Sequence, residues 1–196
     1  GFDLYKKTIS ESESFGYGYD EKRQGGVLRL GKALGEWTKG DIAYRLEEID
    51  ISNIPEDASA DFKLEEGSNT IKSVALLLSK DTRDNIFNPT TGWVRTGSVE
   101  VAGGPFGGDK DFVKYIGTSA WYFPMFGENV LELKLRAGIV DGFSDSPIVP
   151  IYERFYAGGA NTIRGYRERR IGPKDPNTDD PIGGESMFVG NAEYLF

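Results

Sequence analysis

The sequence contains no cysteine and no histidine. The first absence excludes a disulfide framework and a thiolate metal site. The second removes Ser-His-Asp and Cys-His catalysis, together with imidazole metal ligation. Any catalysis would have to rest on carboxylates, lysine, tyrosine or serine. No apolar run approaches the roughly 18 residues of a transmembrane helix. Positive charge is also in short supply: the net charge is −8 over 196 residues, whereas a general nucleic-acid binder carries a basic stripe. No secretory leader is legible, since Gly1-Phe2-Asp3-Leu4-Tyr5 reads as the middle of a strand.

What is present is 26 glycines and 13% aromatic residues. This balance suits many strands, tight turns and interfacial rings better than helices. It is compatible with a membrane β-barrel, whose strands alternate polar and apolar residues and so show no long hydrophobic run.

Along the chain, residues 1–11 alternate loosely and pass into a polar region at Ser12-Glu13-Ser14. Tyr17 and Tyr19 precede Glu21-Lys22-Arg23-Gln24-Gly25-Gly26, a turn by composition. Val27–Leu34 reads as a strand, 35–40 as a connection with Trp37 at a membrane interface, and 41–51 as the next strand. Residues 53–70 are acidic and read as a solvated outer loop rather than a cation site. Strands follow over 71–80, 93–101 and 111–123, the last ending in Trp121-Tyr122-Phe123, which suits an aromatic girdle and equally the capped core of a soluble barrel. Residues 130–138 give the cleanest pattern, with Leu131, Leu133, Leu135 and Ala137 alternating against Glu132, Lys134 and Arg136. Alternation separates two faces but does not say which one meets water. Both a soluble sandwich and a wide membrane barrel accommodate it.

Two tracts carry chemistry. In the first, Asp81, Arg83 and Asp84 precede Pro89 and Gly92, whose residue types turn the chain between antiparallel strands. Local charge pairing on a hairpin shoulder explains the carboxylates better than catalysis does. The second is ERFYAGGANTIRGYRERRIGP, residues 153–173. The pair Gly158-Gly159 permits a sharp turn or close packing, and Arg164, in Ile163-Arg164-Gly165-Tyr166, offers a planar fork suited to a carboxylate. Asp175, Asp179 and Asp180 follow in a Pro- and Asp-rich stretch whose spacing fits no EF-hand. In the last strand Phe188, Ala192, Tyr194 and Phe196 share one face; Asn191 and Glu193 share the other.

Both tracts resemble the BamA superfamily of outer-membrane barrels, which insert or translocate other proteins. Ile163-Arg164-Gly165-Tyr166 is similar to the family's V/I-R-G-F/Y tip, which folds back into the barrel lumen. Asp81, Arg83, Asp84, Pro89 and Gly92 resemble its periplasmic turn. Glu193 matches a lumen-facing glutamate on a strand opened by a glycine pair. The resemblance implies an all-β fold, namely a partial antiparallel transmembrane β-barrel over residues 1–196, with about nine strands of an expected sixteen and no periplasmic delivery domains. It implies a loop-to-wall ion pair between Arg164 and Glu193, worth roughly 3–5 kcal/mol on removal of one partner if buried and far less if wet.

By the same resemblance the protein lies in the outer membrane and acts as an assembly factor without catalytic residues, cofactor or metal. Its partners would be unfolded outer-membrane protein clients, outer-membrane lipids and, through upstream domains, accessory lipoproteins; nucleic acid is not among them. The related alternative is a two-partner-secretion pore. Less favoured readings are a soluble β-sandwich and a carboxylate hydrolase.

Overall fold

The computed structural model of the chain describes residues 1–10, 18–144 and 148–196. Ser12-Glu13-Ser14 and Tyr17 lie outside the described residues. Eight antiparallel strands form one sheet in chain order. They are β1 Phe2–Ile9, β2 Asp20–Ala33, β3 Thr38–Ser52, β4 Gly67–Asp81, β5 Gly92–Ala102, β6 Phe112–Pro124, β7 Val130–Gly142 and β8 Ser186–Leu195. The sheet is a simple meander, unclosed, with β1 and β8 at its edges. The sequence expectation of about nine strands is one too many among the described residues. Spans of ~10 residues overcount here, because β2, β3 and β4 run to 14, 15 and 15 residues.

At one end of the sheet the connections run over 34–37, 82–91 and 125–129, none beyond ten residues. At the other, 53–66 and 143–185 are longer, while 103–111 has nine residues. This asymmetry is that of outer-membrane barrels, with short periplasmic turns and longer extracellular loops.

Two local expectations are corrected. Residues 21–26 are not a turn; they lie in the first half of β2, in register with Leu46–Ile51 of β3. The glycines there answer to packing rather than turning. A Cβ on Gly25 would lie 2.4 Å from the Leu46 carbonyl oxygen, so only glycine lets the two strands lie this close. Nor is the acidic segment a simple solvated loop. It folds into a one-turn helix α1, Ala60–Lys63, capped by Ser59, and strand β4 resumes already at Gly67. Phe62 is fully buried, edge-on to Tyr19 with ring centroids 5.0 Å apart. The apolar residues within this stretch decide its placement against the prevailing charge.

The structure gives the alternation its sign. On one face Leu4, Leu30, Leu76, Ile139 and Phe188 are exposed; Leu30, Leu76 and Ile139 share one cross-strand row through Ile42, Val99 and Tyr115. On the other face Glu21, Glu47 and Glu132 are buried, beneath the 148–185 segment. Charges turned towards a protein plug and aliphatics turned outwards are the arrangement of a membrane barrel wall; a soluble sandwich would bury its aliphatics. In the expected girdle, Phe123 is exposed while Tyr122 turns inward and is buried. Trp37, half exposed, stands at the same short-turn end.

The main apolar cluster lies at the long-loop end. Ile49, Ile51, Ile71, Phe112 and Val140 from the strands pack with Phe62, Val149, Ile151 and Phe155 from the loops. Phe62→Ala is expected to cost roughly 3–5 kcal/mol. The measurement is urea unfolding in detergent micelles, with protease cleavage between residues 53 and 66 increasing in the variant.

Candidate functional site: a plug clamped to the charged wall

The segment 148–185 is stitched to the sheet at both of its ends and is a narrow hairpin between them. Phe155 and Gly184 exchange backbone hydrogen bonds of 2.8 and 2.9 Å. Ala157 and Ile171 form a second bridge, and the Gly159 N–H donates to the Tyr166 carbonyl at 3.0 Å. Gly158 and Gly159 hold φ of +104° and +85°, a region that L side chains rarely adopt. A Cβ on Gly158 would also sit 2.2 Å from the Arg167 carbonyl oxygen. The glycine pair is therefore fixed by conformation and contact together. Arg169 stacks over the Tyr156 ring at 3.4 Å, which braces the neck of the hairpin.

At the tip, Arg164 Nη2 donates to both carboxylate oxygens of Glu193 on β8, each at 3.0 Å. The structure thus brings these two sequence-predicted residues together. The pair is wet: the Arg164 side chain is 70% exposed and that of Glu193 21%. Exposed pairs contribute about 0.2–1 kcal/mol, so the buried-pair value does not apply. A local reason for the contact is visible in the register. Glu193 lies directly opposite Glu132 of β7, and like charges in that position repel. Lys134 neutralises Glu132 at 2.9 Å and Arg164 neutralises Glu193. Ile163, Gly165 and Tyr166 shape the tip itself: Gly165 has φ of +86° and Tyr166 is exposed.

The stronger clamp is one that sequence reasoning missed. Glu153, the first residue of the singled-out stretch, is buried. Its carboxylate meets Arg45 at 3.1 Å and Lys114 at 3.0 Å, and Lys114 also donates to the Glu153 carbonyl at 2.8 Å. Arg45 in turn reaches Glu47 at 3.1 Å and Glu100 at 2.7 Å. Arg23 joins Glu21 at 2.6 Å and donates to the Tyr152 carbonyl at 3.2 Å. Tyr5 donates to Glu47 at 2.7 Å. One loop carboxylate is thereby tied to charges on β2, β3, β5 and β6.

Burial by itself would raise the Glu153 carboxyl. The positive charges of Arg45, Lys114 and Arg23 override it and lower the carboxyl to about 2. Beside it, the Phe155 ring packs against Gly138, where a Cβ would be 2.4 Å from the ring. The signal available in the sequence was the recurrence of Glu21, Arg23, Arg45, Glu47, Glu100 and Lys114 on one strand face.

Further contacts absorb the acidic segments. Arg154 bonds Asp61 at 2.5 Å and the Val149 and Ile182 carbonyls at 2.9 and 3.1 Å. Ser59 donates to Asp175 at 2.9 Å, and its N–H to Asp180 at 2.8 Å. Asp179 takes Lys174 at 2.7 Å. The three aspartates are thus engaged by protein groups, and among the described residues none forms a cluster able to hold a metal.

At the opposite end, Arg83 grips Asp81 through two bonds of 2.9 and 2.6 Å. Asp84 accepts from the N–H groups of Thr90 and Thr91 and from the Thr90 hydroxyl, and these bonds hold its carboxyl below the usual range. Gly92, at φ +94°, has no room for a side chain beside the Thr82 carbonyl. Pro89 precedes it in the same turn, whose peptide bonds are all trans. Asp81, Arg83 and Asp84 are occupied in shaping a hairpin.

An apolar outer face, a charged inner face and a loop laid on that inner face define a segment of transmembrane β-barrel wall with an internal plug. The Omp85 superfamily domain matches residues 1–196. The chain belongs to the Omp85 superfamily, and it is an outer-membrane protein.

It is 36% identical over 174 residues to the outer membrane protein assembly factor BamA of Nitratidesulfovibrio vulgaris, covering 88% of this chain and 22% of that one. To the BamA of Neorickettsia risticii it is 32% identical over 195 residues, covering 98% and 25%. A SAM50-like protein of Schizosaccharomyces pombe is 32% identical over 74% of this chain and 31% of its own length. The crystal structure of BamA from Haemophilus ducreyi lacking POTRA domains 1–3 superposes with a TM-score of 0.83 at 19% identity, over 99% of this chain and 41% of that one. The chain spans about a quarter of the length of the BamA relatives it matches.

Two outcomes distinguish the clamps. Glu153→Ala leaves Arg45 and Lys114 short of their shared carboxylate and is expected to cost roughly 3–5 kcal/mol, against about 0.2–1 kcal/mol for Arg164→Ala. Thermal unfolding in detergent ranks them, and equal losses would contradict the assignment. The lowered carboxyl also fixes a pH dependence. Glu153 binds its proton more readily in the unfolded chain, near 4.5, than in the folded one, near 2. Its contribution is therefore complete above about pH 4.5 and is lost as pH falls towards 2. Protease sensitivity of residues 148–185 should rise through that window in the wild type and stay flat in Glu153→Gln.

Proposed function

We propose that this chain forms part of the barrel of an assembly factor that folds other β-barrel proteins into the outer membrane. The observation that carries the reading is the family match over the whole chain, joined to relatives named as assembly factors at 36% and 32% identity. The work is physical rather than catalytic. It consists of offering a template for strand pairing and easing insertion by local thinning of the bilayer, with no covalent step and no cofactor. The clients are unfolded outer-membrane proteins, and the outer-membrane lipids are the medium. Accessory lipoproteins bind through upstream domains, and nucleic acid has no part.

Within this reading the 148–185 segment is a strut. Glu153 supplies its anchorage. Arg164 supplies its registration, holding the tip over β8 through Glu193; an exposed pair can fix a position while adding little stability. Gly158, Gly159 and Gly165 give the hairpin the backbone it needs. The turn at Asp81, Arg83, Asp84, Pro89 and Gly92 is proposed as a rigid periplasmic hairpin that keeps β4 and β5 in register.

The test uses the full-length protein in liposomes, as wild type and Arg164→Ala, challenged with a urea-unfolded barrel protein. The wild type is expected to yield a folded, protease-resistant product, and the variant several-fold less, with only the small loss of melting temperature that an exposed pair gives. Passage of the unfolded chain into the liposome without assembly would replace this reading by a secretion pore.

A further inference from the structure

The lipid-facing surface carries one cluster for which a barrel wall has no use. Lys80 of β4 and Arg95 of β5 are register partners, and both project from the apolar face. Like charges directly opposite each other across antiparallel strands are destabilising. Their flanking partners in the same row, Thr38 and Ser119, are neutral. Asp81, next to Lys80, turns to the other face and is taken by Arg83. What the two cations touch is aromatic. Arg95 lies 4.3 Å from the Trp93 ring centroid and 5.7 Å from that of Trp121, and Lys80 lies 5.5 Å from Trp93. The cluster stands at the short-turn rim, the level at which tryptophan rings meet lipid headgroups.

A second observation is independent of the charges. Two residues along β5 on the same face is Gly97, directly opposite Gly117 of β6. A Cβ built on either meets nothing within 4 Å, and neither has a positive φ. Neither packing nor conformation within the chain calls for glycine at these positions, and glycine inside a strand weakens it. What remains is close approach from outside. The row continues into Ala137, opposite Gly117, and is bordered by exposed Leu78, opposite Gly97. The result is a shallow apolar floor leading from the two cations towards the membrane centre.

We propose that this surface binds an anionic glycerophospholipid. The phosphate sits between Lys80 and Arg95 and relieves their repulsion. The Trp93 and Trp121 rings lie at the glycerol level, and one acyl chain crosses the Gly97–Gly117 floor. A lipid rather than free phosphate is the occupant, because the apolar floor adjoins the cations and a soluble anion would leave it bare. The inference needs the barrel wall to face lipid and does not depend on assembly activity.

The experiment is native mass spectrometry of the full-length protein released from nonionic detergent. The probes are phosphatidylglycerol, phosphatidylcholine of the same acyl chains, and glycerol phosphate. The wild type is expected to retain phosphatidylglycerol over phosphatidylcholine. Removal of each cation should weaken binding roughly fivefold, so that Lys80→Gln with Arg95→Gln loses about twenty-fivefold. Gly97→Val, which fills the floor without straining the backbone, should also reduce phosphatidylglycerol binding while leaving the melting temperature in lipid-free detergent unchanged or raised. Equal retention of the two lipids overturns the proposal, as does competition by glycerol phosphate at equal concentration. It is also overturned if the double variant melts earlier in lipid-free detergent and keeps its phosphatidylglycerol, which would make the cluster a stacking brace only.

Discussion

A carboxylate taken out of water must have its charge met within a few ångströms, and the arrangement of this chain follows from how Glu153 meets that demand. Arg45 and Lys114 come to it from β3 and β6, strands that are not neighbours in the sheet. Arg45 is itself shared with Glu47 and Glu100. The network thus closes over several strands at once, and a loop of some forty residues gains a single seat on the wall. Ion pairs of this kind add little net stability over an apolar replacement, but they are severe about geometry. A plug needs that property, because an apolar contact tolerates sliding and a shared carboxylate does not.

The other contacts of the plug are arranged around this seat. Phe155 presses on Gly138 immediately after it, and the Phe155–Gly184 bridge fixes where the returning chain enters β8. Helix α1 reaches over from the β3–β4 connection and joins the plug through Ser59 and Asp61. By the time the chain reaches Arg164, position is already largely determined. The Arg164–Glu193 pair then registers a tip that the neck has delivered, and for that an exposed pair suffices. The conspicuous motif and the principal anchor are therefore different residues, eleven positions apart in the sequence.

The lipid side of the wall obeys the opposite constraint. There a charge has no protein partner unless the membrane supplies one. The central rows are accordingly apolar, and Lys80 and Arg95 stand beside Trp93 and Trp121 at the rim. Their ring neighbours lessen the cost of exposure but carry no full negative charge. The two faces of a single strand pair thus satisfy charge in two ways: β4 and β5 give Ser73 and Glu100 to the plug side, and Lys80 and Arg95 to the lipid side.

Legible in the sequence were the all-β class, most strand positions and the turn at Asp81–Gly92, and the family resemblance implied the pairing of Arg164 with Glu193. Each of these rests on short-range pattern or on a motif whose residues are read together. The sequence misjudged residues 21–26 and 53–70, where composition favours turn and loop. Pairing with β3 and burial of Phe62 are long-range gains that composition does not register. Tertiary structure alone decided which face of the alternation meets lipid, because a period of two has no sign until a plug covers one side. It alone revealed Glu153 as the anchor, since a lone glutamate acquires that role only when strands distant in sequence bring Arg45 and Lys114 to the same point.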